Sequence, residues 1–171
     1  MIRETASAGE LRAAVPEGFA AGAGVRVGAG SGQVLDGENM RDTIKKMIVN
    51  YGFQDSVIFE PFNANVHESI IKDAMYVNSS DYEGISNAML EAMAIGMPVI
   101  CTDCPIGGAR ATIHDGENGL LVPMNDPNAM YRAMKKVIDD EDYAKSLSYR
   151  AVKLRERLSL KAIADRWLEL V

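Results

Sequence analysis

The sequence predicts an α/β fold, a doubly wound parallel sheet with helices on both faces and a helical C-terminus. Three observations predict it. Short apolar runs of strand length alternate with segments of helical period from residue 38 to residue 138, and such alternation builds a parallel sheet covered on both sides. The run Pro98-Val99-Ile100-Cys101 is apolar throughout, as a buried strand requires. From Asp139 onward the chain reads as wholly helical, with Tyr143, Leu147, Leu154, Leu158, Ile163, Trp167 and Leu170 as its apolar positions.

Taken in order, Glu38 to Tyr51 carries Met40, Ile44, Met47 and Ile48 at helical spacing, and Ser56 to Phe59 reads as a short strand. Val66 to Asp73 reads as a short helix and Ala74 to Val77 as a strand. Ile85 to Ile95 is a helix that Ser86 or Asn87 can cap, because either side chain offers an oxygen to the free amides of the first turn. Pro98 to Cys101 and Leu120 to Val122 are strands. Asp126-Pro127 is a cap followed by proline at the first helical position, and Asn128 to Ile138 continues that helix. Ligands of doubly wound sheets collect at the carboxyl ends of the strands, and Glu83, Thr102 and Asp103 lie just past such ends. In the terminal helical stretch Trp167 is expected to pack on its own domain, the alternative being that it is left partly exposed.

The most informative stretch is Tyr82-Glu83-Gly84-Ile85-Ser86-Asn87-Ala88-Met89-Leu90-Glu91-Ala92-Met93-Ala94-Ile95-Gly96-Met97-Pro98. Glu83 precedes the first helical turn and Glu91 falls at the second, so one anion-binding helix end lies between two carboxylates. A sugar nucleotide presents a diphosphate flanked by two sets of vicinal hydroxyls, which suits that arrangement. Two glutamates at this spacing are by themselves more often solvated surface charges. The surrounding Ala88, Met89, Ala92, Met93 and Ile95 make the helix one that buries against a sheet, where a glutamate is costly unless something polar meets it.

This stretch resembles the Glu-x7-Glu motif of retaining GT-B glycosyltransferases of family 4, the glycosyl transferases group 1. Further blocks follow in the expected order: Pro98-Val99-Ile100-Cys101-Thr102-Asp103, then Gly107-Gly108-Ala109-Arg110, then Asp115-Gly116-Glu117-Asn118-Gly119-Leu120-Leu121-Val122-Pro123. Asp36-Gly37-Glu38, Tyr51-Gly52-Phe53 and Val57-Ile58-Phe59 are similar to the preceding segment. The resemblance implies one Rossmann-like half of a GT-B fold, the C-terminal donor-binding domain, acting in polysaccharide biosynthesis. It implies a nucleotide diphosphate sugar as donor substrate, a UDP-sugar first among them, and no separate cofactor. It implies that Glu91 holds the ribose hydroxyls, Glu83 the transferred sugar, and Gly84 with the amides of Ser86, Asn87 and Ala88 the phosphate and sugar oxygens. Front-face retention leaves the departing phosphate as base, and Arg110 is the candidate cation that stabilises it. Ala109 and Ala111 depart from the family, which often has proline and glutamate there. The implied partners are a carbohydrate or lipid-linked glycan acceptor and an N-terminal acceptor domain, through which peripheral membrane association would run. Two other readings share the same half: a catalytically inactive binding or scaffold module, and a different enzyme such as an epimerase or phosphorylase.

At 171 residues the chain has the length of one domain, whereas a GT-B enzyme places its active site between two. A net charge of −6 gives no nucleic-acid footprint, and without a membrane-spanning stretch or a secretory signal, cytoplasmic residence is expected. Cys101 and Cys104 form Cys-x-x-Cys and are expected to be reduced thiols. They lack partners for zinc, since His67 and His114 have no paired spacing and His67-Glu68-Ser69-Ile70-Ile71 has isoleucine where a zincin helix needs its second histidine. No metal site is expected. Residues 1–36 read as an atypical Gly/Ala-rich leader ahead of a nucleotide-sugar-binding domain at 37–171. The first 37 residues hold eight of the fifteen glycines and no lysine. A fusion, a misread frame or a non-native leader each account for that break. The Arg and Lys that clamp the donor diphosphate in the family are not recognisable there, and Gln33 interrupts Gly28-Ala29-Gly30-Ser31-Gly32 as a dinucleotide fingerprint. One short helix near Ala8 to Val15 and a strand within Gly24 to Leu35 are expected in this leader.

Overall fold

Glycine and short polar side chains set the ends of the helices. Gly52 and Gly96 take φ of +74° and +82°, a region that L side chains avoid, and each closes a helix with the same pair of bonds. Gly52 donates to the Val49 carbonyl and Phe53 to Ile48; Gly96 donates to Met93 and Met97 to Ala92. At the other ends Ser86, Asp126, Asp140 and Ser159 accept backbone amides three residues on. The structure is a computed structural model that describes Val25–Val27, Val34–Leu35 and residues 38–59, 68 and 70–169. The chain divides into two compact units, Met1–Ala64 and Asn65–Val171.

In the first unit, β1 (Val25–Val27) pairs parallel with β4 (Val57–Phe59), Arg26 opposite Ile58. β2 (Val34–Leu35) and β3 (Glu38–Asn39) form a short antiparallel ladder, and α1 (Met40–Tyr51) follows at once. The helix thus begins two residues later than its apolar spacing suggests, because Glu38 and Asn39 are held in extended form by their pairing. Lys45 of α1 lies 5.9 Å from the centre of the Phe59 ring. Of the elements expected in the leader, β1 is the strand within Gly24 to Leu35, and the helix near Ala8 to Val15 lies outside the described residues.

The second unit is a parallel sheet in the order β5 (Tyr76–Asn78), β6 (Val99–Thr102), β7 (Leu120–Val122). Val77 stands opposite Ile100, and Ile100 opposite Leu120. All four residues of β6 are buried, and its alternation feeds two cores. Val99 and Cys101 pack with Met89, Ala92 and Met93 of α2 (Asn87–Ala94), Ala109 of α3 (Gly108–Thr112) and Leu154 of α6 (Leu154–Arg157). Ile100 packs on the opposite face with Val137 of α4 (Pro127–Asp139) and Leu147 of α5 (Glu141–Ala151). The expected α/β class, the parallel sheet with helices on both faces and the helical C-terminus are therefore present.

The C-terminal stretch, expected to be helical, is built of three helices, α5, α6 and α7 (Leu160–Leu168), with Ser159 capping the last. The expectation that Trp167 packs on its own domain is corrected. No residue of α7 is buried, and Trp167 stays 68% exposed. Both sheet faces are already covered by the time α7 begins, so its apolar side chains find no further sheet surface to bury.

Met93 is fully buried between α2 and the sheet, so Met93→Ala is expected to cost about 2–5 kcal/mol in urea denaturation. Leu160→Ala, at a position 89% exposed, is expected to stay within about 0.5 kcal/mol of the parent.

Candidate functional site

The segment from residue 79 to residue 86 leaves the C-terminal end of β5 and is tied down at several points. The Asn78 side-chain oxygen accepts from the Ser80 amide at 2.9 Å and from the Ser80 hydroxyl at 2.6 Å. Thr102, the last residue of β6, donates its hydroxyl to the Ser80 carbonyl. Ser80 Oγ stands 3.4 Å from Glu83 Oε2. Gly108, the first residue of α3, meets the same segment backbone to backbone. A Cβ there would lie 1.9 Å from the Gly84 oxygen and 2.6 Å from the Ile85 nitrogen, so only glycine fits. The turn into α3 is bent, with φ of +73° at Ile106 and +74° at Gly107.

Ser86 takes extended backbone and caps α2, its hydroxyl accepting from the Met89 amide at a long 3.4 Å. Asn87 and Ala88 are exposed in the first turn, whose amides have no intrahelical acceptors. This positive end of the helix dipole is where an anion is held best. Glu83 is half-buried before it, and Glu91 stands in the second turn. One expectation is corrected here. Glu91 is exposed, not buried within an apolar helix, because α2 turns Met89, Ala92 and Met93 into the core and packs Leu90 at its edge, leaving Glu91 outside. Ala88 is too short to extend the apolar stripe, so no desolvation cost argues for a ligand at Glu91. Glu91 lines an open groove of about 340 Å³ with Leu90, Ala94, Leu154, Arg155 and Leu158.

Arg110 is exposed and held by Asp103. Its Nε donates to Oδ1 at 2.8 Å and its Nη2 to Oδ2, a two-pronged pair whose hydrogen bonds raise the guanidinium pKa further. Beneath the loop, a cavity of about 10 Å³ is lined by Asn78, Ser80, Glu83, Ser86, Cys101 and Thr102 among others. That is room for about one water, so any sugar must lie outside it, along the rim. The structure thus brings Glu83, Gly84, Ser86, Asn87 and Ala88 to one end of α2. It adds residues that sequence reasoning did not assign to the site: Asn78 and Ser80, and the roles of Thr102 and Asp103. The polar run Asn78-Ser79-Ser80 directly after a strand was their one local signal.

Cys101 and Cys104 are both buried and free. Burial first, then the neighbouring Cys104 and Glu83, pushes the Cys101 thiol up from 9.0 to about 12. Among the described residues no cluster of His, Cys, Asp and Glu is arranged to hold a metal, and His67 lies outside them. No helix among them is long and apolar enough to cross a membrane.

The family model described as "Glycosyl transferases group 1" matches residues 25–154. The chain belongs to this family. The match begins at the first residue of β1, inside the segment that composition set apart. Among group 1 relatives, the lipopolysaccharide core biosynthesis glycosyltransferase LpsE of Rhizobium meliloti is 31% identical over 137 residues, covering 80% of this chain and 39% of that one. The N-acetylgalactosamine-N,N'-diacetylbacillosaminyl-diphospho-undecaprenol 4-alpha-N-acetylgalactosaminyltransferase of Campylobacter jejuni is 29% identical over 119 residues, covering 69% and 32%. Among solved structures, S. aureus TarM, in complex with fondaparinux, alpha-GlcNAc-glycerol and UDP, superimposes with a TM-score of 0.69 at 26% identity, over 76% of this chain and 26% of that one. The chain spans between a quarter and two-fifths of these group 1 relatives. Its fold is that of one half of a GT-B glycosyltransferase.

A thiol pKa near 12 leaves almost no thiolate at neutral pH. Ellman's reagent at pH 7.5 is therefore expected to leave Cys101 of the folded chain unmodified, with Cys104 shielded by its burial, and to titrate both in urea. Because the folded value lies above the ordinary 9.0, this thiol's contribution to stability is complete below pH 9 and is lost as pH rises towards 12. Denaturation midpoints measured between pH 8 and 11 check the sign.

Proposed function

We propose that the chain is the donor-binding half of a retaining glycosyltransferase that moves a hexose or N-acetylhexosamine from a nucleotide diphosphate sugar, a UDP-sugar by preference, to a carbohydrate or lipid-linked glycan acceptor. The observation that carries this reading is the Ser86-capped start of α2 with Glu83 before it and Glu91 one turn beyond. Support also comes from the relatives, named as glycosyltransferases of lipopolysaccharide core and of an undecaprenol-linked acceptor, and from TarM, solved with UDP.

In this reading the Asn87 and Ala88 amides meet the diphosphate, Glu91 accepts from the ribose diol and Glu83 from hydroxyls of the transferred sugar. Arg110, held by Asp103 and with its remaining N–H groups towards solvent, offers positive charge to the departing phosphate. Exposure of Glu91 favours this role, since a carboxylate that must receive a diol from solution has to be reachable. Front-face displacement takes the acceptor proton on the leaving phosphate, so no enzymic nucleophile is needed. The acceptor-binding half, and any peripheral contact with a membrane made through it, lies on the partner domain, and the site works in the cytoplasm where nucleotide sugars are made.

A carboxylate bonded to a diol contributes on the order of 1.5–3 kcal/mol, so Glu91→Ala is expected to weaken UDP binding by roughly ten- to a hundredfold in calorimetry. Glu83→Ala is expected to weaken UDP-N-acetylglucosamine and leave UDP nearly unchanged. Glu117→Ala, in an exposed turn, is the control and alters neither. Parent-like binding by both motif variants would overturn the donor-site reading.

The 171-residue chain alone is expected to give no sugar transfer to glycan acceptors, with turnover appearing when an acceptor-binding half is supplied. Robust transfer by the purified chain would contradict this.

A further inference from the structure

Ser80 has one hydroxyl proton and two acceptors within reach. Asn78 Oδ1 lies at 2.6 Å and Glu83 Oε2 at 3.4 Å, and one proton serves one of them at a time. The two are not equally dependent on it. Asn78 Oδ1 also accepts the Ser80 amide at 2.9 Å, so it stays satisfied when the hydroxyl turns away. A carboxylate, by contrast, gains a charge-assisted bond when the hydroxyl turns towards it. The hydroxyl's origin is fixed from two strands at once: Asn78 ends β5, and Thr102, the last residue of β6, holds the Ser80 carbonyl. Glu83 itself is on a loop, half-buried, with rotamers to lose before it can meet a ligand.

We propose that Ser80 is a positioning residue for Glu83: its hydroxyl rotates from Asn78 to the Glu83 carboxylate and fixes that side chain for the transferred sugar. This rests on the donor-site reading above and adds to it the part that aims the sugar-binding group. Glu83 then presents one oxygen to Ser80 and the other to the sugar, and the backbone at residue 80 does not move.

The test compares UDP with UDP-N-acetylglucosamine by calorimetry on the full chain. Ser80→Ala is expected to weaken the nucleotide sugar about tenfold and to leave UDP unchanged. Ser80→Thr, which keeps the hydroxyl, is expected to restore most of the loss, and Ser80→Cys, of similar shape but a poor donor, to resemble alanine and to serve if alanine does not fold. In a Glu83→Ala background, Ser80→Ala is expected to cost nothing further. Equal weakening of both ligands, or a loss that persists without Glu83, would show a merely structural serine and overturn the assignment. Parent-like binding of both ligands by Ser80→Ala, with Glu83→Ala still selective, would overturn it while leaving the donor-site reading intact. If Glu83→Ala itself binds the nucleotide sugar as the parent does, the reading and this assignment fall together.

Discussion

The close approach of Gly108 to the Gly84-Ile85 peptide is the constraint on which the site depends. Two stretches of backbone meet with no space for even a methyl group between them, so the loop bearing Glu83 and the start of α3 are placed by each other. Main chain has no rotamers with which to relax, and a contact of this kind holds position more tightly than one between side chains. The Thr102 hydroxyl fastens the same loop to the end of β6. Glu83, the Ser86 cap and the open turn of α2 therefore inherit their positions from the rigid centre of the sheet, as a site that must hold sub-ångström geometry requires.

In the proposed donor site, a chain of net charge −6 would hold a diphosphate through local groups alone. Charges beyond about a Debye length are screened, whereas the helix end and the Asp103-paired guanidinium act at contact distance. The pair with Asp103 costs Arg110 part of its field but fixes its direction. Together with one helix dipole, worth about 0.3–1 kcal/mol at an exposed site, this is modest attraction. In the proposed donor site, selectivity would then come from the Glu83 and Glu91 carboxylates more than from charge.

The sequence made visible what local chemistry writes. Ser86 and Asp126-Pro127 announce helix starts, and the apolar run Pro98 to Cys101 announces the strand that is buried on both faces as β6. The Glu83/Glu91 spacing placed the two carboxylates around a helix start, and the structure has Glu83 before α2 and Glu91 in its second turn. Three features escaped because they depend on partners distant in the chain or on side-chain size. The Thr102 bond to Ser80 spans 22 residues. Glu38 and Asn39 follow a helical pattern but are claimed by β2. Glu91 sits among apolar letters, yet alanines at 88 and 94 leave its side of the helix thin and wet. Trp167 misled for a related reason: periodicity states which face of α7 is apolar, not whether any surface remains for it to cover.

In the second unit the strands lie side by side in the order in which they occur along the chain, each pairing with the next across one helix. Loop-closure entropy grows with the length of chain that must be brought round, so a sheet wired this way closes by short steps. Each step also delivers its own cover, since α2 arrives between β5 and β6, and α3 between β6 and β7. Refolding of this unit should accordingly be fast for a parallel sheet, a topology whose slowness elsewhere comes from strands that must wait for distant neighbours.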